Sequence, residues 1–221
     1  TEFNLHKYEL YIRYGALPTT TTYDARGGLP DADQAVEVPN TQAGTYYVLV
    51  RSYSGGGAYS LVAHTTGTLP TLPVGTARTG VLQGAGDVKL YQVVVPAGEH
   101  LAVVLDATEF NLHKYELYIR YGALPTTATY DARGELPDAD QAVEVANTQA
   151  GTYYALVRSY SGGGDYTIVA HTSSTFPTLA LCGPRTGVLQ GTGDVKFYQV
   201  MVPADEHLTV ALDGSPDLHI Y

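Results

Sequence analysis

Apolar and polar residues alternate along this chain in short runs, and no long stretch shows helical spacing. In the segment 8–14, the even-numbered positions are Tyr, Leu, Ile and Tyr, whereas the odd-numbered positions are Glu, Tyr and Arg. A period of two is typical of a β-strand with one buried face. Similar β-branched and aromatic runs, separated by Gly, Pro, Asn and Asp, occur at 45–53, 58–64, 88–95 and 100–105. The pattern therefore predicts an all-β fold.

An internal repeat dominates the sequence. The stretch GTYYVLVRSYSGGG at 44–57 returns as GTYYALVRSYSGGG at 151–164, which is 107 positions later. A 107-residue period of this similarity indicates repeated structural units. The three glycines that end each copy predict a hairpin turn, because glycine adopts positive φ at little cost. In that prediction, 58–64 is the partner strand of 45–53.

The period predicts one complete unit between two incomplete ones. Residues 1–66 hold the C-terminal part of a sandwich that lacks its first strands, and 79–172 hold a complete sandwich. Residues 186–221 hold the N-terminal strands of a further sandwich. Linkers are predicted at 67–78 and 173–185. Their prolines favour semi-rigid spacing, because proline fixes φ and donates no ladder hydrogen bond.

Composition narrows the possible partners. The chain has 22 Asp and Glu against 12 Lys and Arg, a formal net charge of −10, and the basic residues do not cluster. This balance argues against nucleic acid as a partner. No apolar run is long enough to cross a bilayer, so membrane insertion is not predicted. Cys182 is the single cysteine, which excludes an internal disulfide.

Several motifs follow one another in a recognisable order. They are GDVKLY at 86–91, VPAG at 95–98, ELYIRYG at 116–122, YDAR at 130–133 and AGTYY at 150–154. Together they resemble the bacterial pre-peptidase C-terminal (PPC) domain. The resemblance implies a small, jelly-roll-like antiparallel β-sandwich, here in tandem. It also implies an accessory module of secreted bacterial proteases and surface proteins, extracellular or at the cell surface, without catalysis of its own.

The resemblance also implies a calcium site in some family members, where the motif is Gly-Asp-x-Asp. Here Lys89 and Lys196 occupy the second acidic position. Calcium needs six to eight oxygen ligands, and an ammonium group opposes it, so no cofactor is predicted. A weak calcium site in the acidic loops is an alternative to a solvated loop that satisfies its own turns. Its candidate ligands are Asp31, Asp33, Asp138 and Asp140.

Tyrosine is the enriched residue type, with 19 copies and no tryptophan. Core packing and cross-strand pairing explain most of them. The alternative is an aromatic platform for an extracellular polymer, with candidates Tyr11, Tyr46, Tyr53, Tyr118, Tyr153 and Tyr160. No serine lies in a Gly-x-Ser-x-Gly elbow, and the histidine separations fit no compact metal motif. We therefore predict that the chain is not an enzyme and has no catalytic residue.

The two incomplete units predict strand complementation. Each one alone would expose apolar side chains and bare strand edges. The side chains expected to fill a neighbour are Val188, Leu189, Phe197, Val200, Val202, Leu208, Val210 and Leu212. Three arrangements satisfy this expectation: adjacent periods of a longer array, strand donation between copies, or closure of both ends within one chain.

The repeat favours a structural role as the first hypothesis. That hypothesis is a non-enzymatic subunit of an extracellular bacterial filament or surface fibre, whose partners are copies of itself joined head to tail. The alternative is an accessory module that anchors a secreted protease to collagen or a polysaccharide. Near-identity between neighbouring periods favours the fibre, because anchoring modules need no such uniformity.

Overall fold

The structure is a computed structural model that describes residues 7–29, 33–65, 67–107, 113–189 and 195–214. Its described residues contain thirteen strands and no helix, so the all-β prediction is confirmed. The first three strands are β1 (Lys7–Tyr14), β2 (Ala25–Arg26) and β3 (Tyr46–Ser54). The middle of the chain holds β4 (Arg78–Leu82), β5 (Val88–Val95), β6 (Leu101–Ala107), β7 (Lys114–Tyr121), β8 (Ala132–Arg133), β9 (Gln141–Val145), β10 (Gly151–Ser161) and β11 (Gly164–His171). The short strands β12 (Thr178–Leu179) and β13 (Gln199–Val200) follow.

Strands β4 to β11 form a sandwich of two antiparallel sheets. The first sheet has the order β5-β10-β7-β8, and the second has the order β4-β11-β6-β9. Most neighbours in each sheet are therefore distant in sequence. Each strand therefore needs pairing partners from other parts of the period. Each sheet forms completely only when the whole 107-residue unit is present.

The core of this sandwich lies between the two inner faces. On β7, alternate side chains enter the core, and Tyr115, Leu117 and Ile119 are each 0% exposed. The second sheet contributes the apolar strand β6, whose Leu101 and Leu105 are also fully buried. Burial of a large apolar side chain contributes about 1.5–3 kcal/mol. The alternation found in the sequence is therefore the main source of the stability of the sandwich.

The glycine stretch does not form the predicted hairpin. Strand β10 belongs to the first sheet and β11 to the second, so the turn at 162–163 carries the chain across the sandwich. Gly163 packs against the end of β4, where an added Cβ would come within 2.6 Å of the Leu82 carbonyl oxygen. The glycines are needed here for close backbone approach as well as for positive φ.

The segment between the first and second units is not a free spacer. Leu72 is 1% exposed and belongs to the core of the sandwich. Its backbone N–H donates to the carbonyl of Gln92 over 2.8 Å, and the N–H of Gly75 donates to the carbonyl of Ala170 over 2.7 Å. The segment thus joins β5 to β11 at the edge of the sandwich. Part of the predicted linker is therefore built into the unit that follows it.

Residues 7–64 form only part of a second sandwich. Strands β2-β1-β3 reproduce the order β8-β7-β10, with the same register. The counterpart of β11 at 57–64 forms no strand and is exposed along its whole length. In the complete sandwich, β11 pairs with β4 and β6, and residues 7–64 contain no counterpart of either. A strand without its neighbours does not form.

Residues 185–214 also lack the strands with which their counterparts pair in the complete sandwich. Among their described positions, only Gln199–Val200 is a strand, and it pairs with Thr178–Leu179. These residues are the counterparts of β4, β5 and β6, which are never neighbours of one another in the sandwich. They cannot form a sheet alone, and most of their large apolar side chains are exposed.

Candidate binding surface

The outer face of the first sheet carries a charged pair that is largely shielded from water. Glu116 on β7 lies opposite Arg158 on β10, and the guanidinium donates to the carboxylate over 2.5 Å. The Arg158 side chain is only 8% exposed, whereas that of Glu116 is 22% exposed. Because the sheet pleat sends alternate side chains outward, both residues point away from the core. The pair fixes the centre of this outer face.

Two cations flank an exposed tyrosine beside this pair. The guanidinium of Arg158 lies 5.9 Å from the ring centroid of Tyr160, and the ammonium of Lys114 lies 5.4 Å from it. Tyr160 is 59% exposed. We call Lys114, Arg158 and Tyr160 the cationic tyrosine patch. The exposed Tyr160 ring offers a stacking face and a hydroxyl to a polar ligand, and the exposed Lys114 beside it offers an ammonium.

The same patch is present one period earlier. Lys7 and Arg51 lie 5.5 Å and 5.9 Å from the ring centroid of Tyr53, which is 64% exposed. Arg51 donates to the carboxylate of Glu9 over 2.5 Å. The patch is thus part of the repeat and forms even where the sandwich is incomplete.

The six tyrosines proposed for an aromatic platform do not share one surface, so that prediction is wrong as a whole. Tyr11 and Tyr118 are 3% and 4% exposed, because Tyr23 and Tyr130 pack against them at 5.1 Å and 5.2 Å between ring centroids. The remaining buried member is Tyr153, which lies in the core on the opposite face of β10. Only the outward members can meet a ligand.

Tyr46 occupies the position in β3 that Tyr153 occupies in β10. It packs on Tyr14 at 5.1 Å, and its hydroxyl accepts a hydrogen bond from the Gln42 N–H over 2.8 Å. It is therefore also turned to the inner face. Tyr53 and Tyr160 are the two predicted residues that remain available on the outer face.

Burial and neighbouring charges shift the pKa values of two tyrosines and one glutamate on this outer face. Burial, then the nearby Glu116 carboxylate, raises the pKa of Tyr118 to about 12. In the earlier period the same causes raise the pKa of Tyr11, with burial as the largest. The hydrogen bond from Arg51 holds the pKa of Glu9 below its usual value. The tyrosines are therefore neutral and the carboxylate charged near neutral pH.

Among the acidic loop residues, Asp140 has a structural role in the sandwich. Asp140 is 6% exposed, and its carboxylate accepts the Ala107 N–H over 2.6 Å. Asp138 and Asp33 are half-buried, and Asp31 lies outside the described residues. No group of three or more His, Cys, Asp or Glu side chains suited to a metal occurs in the described part of the chain. The calcium alternative in these loops stays a prediction.

Lys89 lies where the resemblance places a calcium ligand. Its ammonium is 2.6 Å and 2.7 Å from the two oxygens of Asp87. One of those oxygens also accepts the Gln83 N–H over 2.7 Å. In the following period, Lys196 instead contacts Asp106 over 3.2 Å. Each lysine thus supplies a positive charge to a carboxylate.

A groove of about 290 Å³ lies beside the second sheet. Residues of the sandwich and of the segment after it line the groove, namely His100, Ala102, Glu144, Ser173, Phe176, Phe197, Tyr198 and Gln199. His100 and Glu144 are 2.8 Å apart. The far wall of this groove belongs to the segment after the sandwich.

Sequence analysis missed the glutamate–arginine pair and its lysine. A signal was available, because Glu9 and Arg51 recur as Glu116 and Arg158 on strands with strong alternation. The cross-strand register was needed to place them opposite each other. That register is set by how β7 and β10 meet within the sheet.

The fold and the outer face define a class of protein: a tandem β-sandwich chain with a repeated surface patch. The sequence model of the bacterial pre-peptidase C-terminal domain family matches residues 1–52 and 87–159, which is more than half of the chain. The chain belongs to this family.

Two curated proteases are similar to part of the chain. Alkaline serine exoprotease A of Vibrio alginolyticus is 30% identical over 100 residues, which is 45% of this chain and 18% of the exoprotease. Xanthomonalisin of Xanthomonas sp. (strain T-22) is 36% identical over 55 residues, which is 25% of this chain and 7% of that protein. The chain thus spans less than a fifth of the length of either protease.

Solved structures with similarity to the chain include the pre-peptidase C-terminal domain of collagenase from Bacillus anthracis. It has a TM-score of 0.39 and 19% identity, over 46% of this chain and 92% of that domain. PliG from Aeromonas hydrophila, a periplasmic inhibitor of g-type lysozyme, has a TM-score of 0.36 and 19% identity, over 47% of this chain and 96% of PliG. The described part of the chain contains no helix long and apolar enough to span a membrane.

Proposed function

We propose that this chain is a non-catalytic accessory module of a secreted bacterial protease and that it anchors the protease to an extracellular polymer. The observation that carries the proposal is the family membership together with partial similarity to two proteases. The matches cover a small share of each protease. This is the relation expected of an appended module.

The repeated cationic tyrosine patch supports a binding role. Tyr53 and Tyr160 are exposed, although each is held by its neighbours. Two equivalent patches on one chain can engage two sites of a polymer at once, which raises the overall avidity well above the affinity of either. Collagen and polysaccharides both present repeated polar groups that a tyrosine hydroxyl and a cation can bind.

Retention on an insoluble polymer tests this function. We expect saturable retention of the chain on fibrillar collagen or chitin, and a loss of at least about tenfold in apparent affinity when Tyr53→Ala and Tyr160→Ala are combined. Val81→Ala is the control, because Val81 is 43% exposed on the opposite sheet. Retention that is absent, or that the double variant leaves unchanged, would overturn the anchoring role.

A structural fibre is the second candidate function. It is favoured by the near-identity of the two periods. Negative-stain microscopy of the chain separates the two functions. Uniform filaments with a repeat of one or two sandwiches support the fibre, whereas dispersed particles of 23.6 kDa argue against it.

A further inference from the structure

The charges of the complete sandwich are divided unequally between its two sheets. The strands of the first sheet carry five basic residues and one carboxylate, namely Lys89, Lys114, Arg120, Arg133 and Arg158 with Glu116. The strands of the second sheet carry one basic residue and three carboxylates, namely Arg78 with Asp106, Glu144 and Asp165. The whole chain has a formal net charge of −10. The first sheet is therefore a basic surface on an acidic protein.

Four of the five basic side chains of the first sheet lie on its outer face. The outward row of β7 consists of Lys114, Glu116, Tyr118 and Arg120. The strand register places Arg158 and Arg133 beside this row. Two of the four are engaged within the sandwich, because Arg158 pairs with Glu116 and Arg120 donates to the Leu124 carbonyl over 3.2 Å. The fifth basic residue, on β5, is held by the carboxylate of Asp87.

The other two cations are accessible, and each lies beside a tyrosine ring. Lys114 is exposed, and its ammonium lies 5.4 Å from the centroid of the Tyr160 ring. The Arg133 side chain is 50% exposed, and its guanidinium lies 5.8 Å from the centroid of the Tyr130 ring. Its ion pair with Glu135 spans 3.7 Å and is exposed, so a ligand carboxylate can replace Glu135 at little cost. The outer face thus offers a cation and a ring at each of two points.

The separation of these two points restricts the ligand. Lys114 lies four residues before Tyr118 on β7, and Arg133 lies opposite Tyr118 on β8. Because a strand rises about 3.3 Å per residue, the two cations are about 13 Å apart along the strand direction. DNA carries one charge per about 1.7 Å of helix axis, whereas a polysaccharide with one carboxylate per disaccharide separates its charges by two sugar rings. The face therefore fits a sparsely charged polymer.

The chemistry of the two points suits an acidic sugar. A tyrosine ring packs against the C–H groups of a sugar while its hydroxyl forms hydrogen bonds. An ammonium or a guanidinium forms a charge-assisted hydrogen bond with a carboxylate. The carboxylates that dominate the second sheet repel the same polymer. Repulsion at one sheet and attraction at the other would direct the polymer to the outer face of the first sheet.

We propose that the outer face of the first sheet binds an anionic polysaccharide whose carboxylates are spaced along the polymer, with about one uronic acid per disaccharide. The proposal rests on the anchoring role described above and assigns the class of polymer. The equivalent residues one period earlier are Lys7, Tyr23, Arg26 and Tyr53. One chain can therefore engage the same polymer at two places, which raises its avidity.

Binding of the 221-residue chain to immobilised hyaluronan tests the polymer class. Hyaluronan carries one carboxylate per disaccharide, and carboxyl-reduced hyaluronan is its neutral counterpart with the same linkages. We expect saturable binding to hyaluronan and at least about tenfold weaker binding to the reduced polymer, because the charge-assisted hydrogen bonds are lost. Binding to hyaluronan should also weaken as the salt concentration rises. Biolayer interferometry measures each affinity.

A pair of double variants tests the location of the site. Lys7→Gln/Lys114→Gln removes one exposed ammonium from the outer face in each period, and we expect about a tenfold loss of affinity for hyaluronan. Arg78→Gln/Arg185→Gln is the matched control, because it removes the same total charge at two exposed positions one period apart. Arg78 lies on β4 in the second sheet, so the control should bind like the wild type. An equal loss in both variants would overturn the assignment to this face.

Other polymers separate a failure of the polymer class from a failure of anchoring. Equal binding to hyaluronan and to its reduced form would overturn the role of the carboxylates. Tighter binding to heparin or single-stranded DNA than to hyaluronan would overturn the preference for sparse charge. Retention on collagen without binding to hyaluronan would overturn the polysaccharide and leave the anchoring role standing. Retention on none of these polymers would overturn both.

Discussion

The hydroxyl groups of Tyr91 and Tyr166 lie 2.6 Å apart in the core and connect the first sheet to the second. Both side chains are at least 95% buried. Burial, then the hydrogen bond with Tyr91, raises the pKa of Tyr166, so the Tyr166 hydroxyl is neutral at neutral pH. The pair is a polar link between two sheets whose inner faces are mainly apolar.

Replacing one member of this pair should cost more than replacing both. Tyr166→Phe leaves the Tyr91 hydroxyl in the core without this partner, and we expect a loss of about 1–3 kcal/mol in the free energy of unfolding. The double variant Tyr91→Phe/Tyr166→Phe removes both polar groups, so its loss should be smaller than the sum of the single losses. Urea unfolding followed by circular dichroism measures all three. Strictly additive losses would contradict a direct bond.

The two glutamate–arginine pairs allow a matched comparison. Their geometry is the same, but the Arg158 side chain is 8% exposed and the Arg51 side chain is 45% exposed. Removing the carboxylate partner of a buried charge costs about 3–5 kcal/mol, whereas exposed pairs contribute about 0–1 kcal/mol. We therefore expect Glu116→Gln to lower the unfolding free energy of its sandwich far more than Glu9→Gln lowers that of the sheet β2-β1-β3.

Hydrogen exchange with mass spectrometry measures this difference, because it reports on β7 and β1 separately. Glu135→Gln is the control, since its ion pair with Arg133 spans 3.7 Å and both side chains are exposed. Equal loss of protection around Glu116 and Glu9 would show that burial of the arginine does not determine the contribution of the pair.

The extent to which sequence predicts this fold depends on whether a feature is local. Alternation within a strand is local, so the limits predicted for 88–95 and 8–14 agree with β5 and β1 to within one residue. The destination of a strand after a turn is not local. The glycines at 162–164 were compatible with a hairpin, but β4 and β6 both pair with β11, and this draws β11 into the other sheet.

The surface shows the same limit. Composition indicates that tyrosine is enriched, but it does not show which tyrosine rings are buried by neighbouring side chains. Tyr118 is outward on its strand, and Tyr130 from a later loop packs against it and helps to bury it. Tyr160 stays exposed because it lies near the end of β10, beside two cations. The neighbours that decide exposure are distant in sequence, so periodicity alone could not separate these two residues.

Calcium should not change the stability of this chain. The ammonium of Lys89 already lies 2.6 Å from the Asp87 carboxylate, where it supplies positive charge and removes an oxygen ligand. We expect the same thermal midpoint, measured by scanning calorimetry, in excess calcium and in excess EDTA. Magnesium serves as the control for ionic strength. A midpoint that rises with calcium alone would show that other oxygen atoms of the chain hold the ion.

High pH should destabilise the complete sandwich through its buried tyrosines. Burial and the Glu116 carboxylate raise the pKa of Tyr118 to about 12 in the folded state, whereas the unfolded chain loses this proton near pH 10. The folded state therefore binds the proton more tightly. The stability that the Tyr118 proton contributes is fully present below about pH 10. It is lost as the pH rises from about 10 to about 12, and the total loss is roughly 2–3 kcal/mol.

The variant Tyr118→Phe isolates this contribution, because phenylalanine fills the same space and does not titrate. At neutral pH the variant should be less stable than the wild type, since it lacks the hydroxyl that interacts with Glu116. That difference should shrink as the pH rises above about 10, because only the wild type loses the tyrosine contribution there. Urea unfolding at a series of pH values, with absorbance at the tyrosinate band as a second signal, measures both effects. Tyr160→Phe, at an exposed ring on the same face, is the matched control. A difference for Tyr118→Phe that stays constant through about pH 11 would mean that the Tyr118 proton is no more tightly held in the fold than in the unfolded chain.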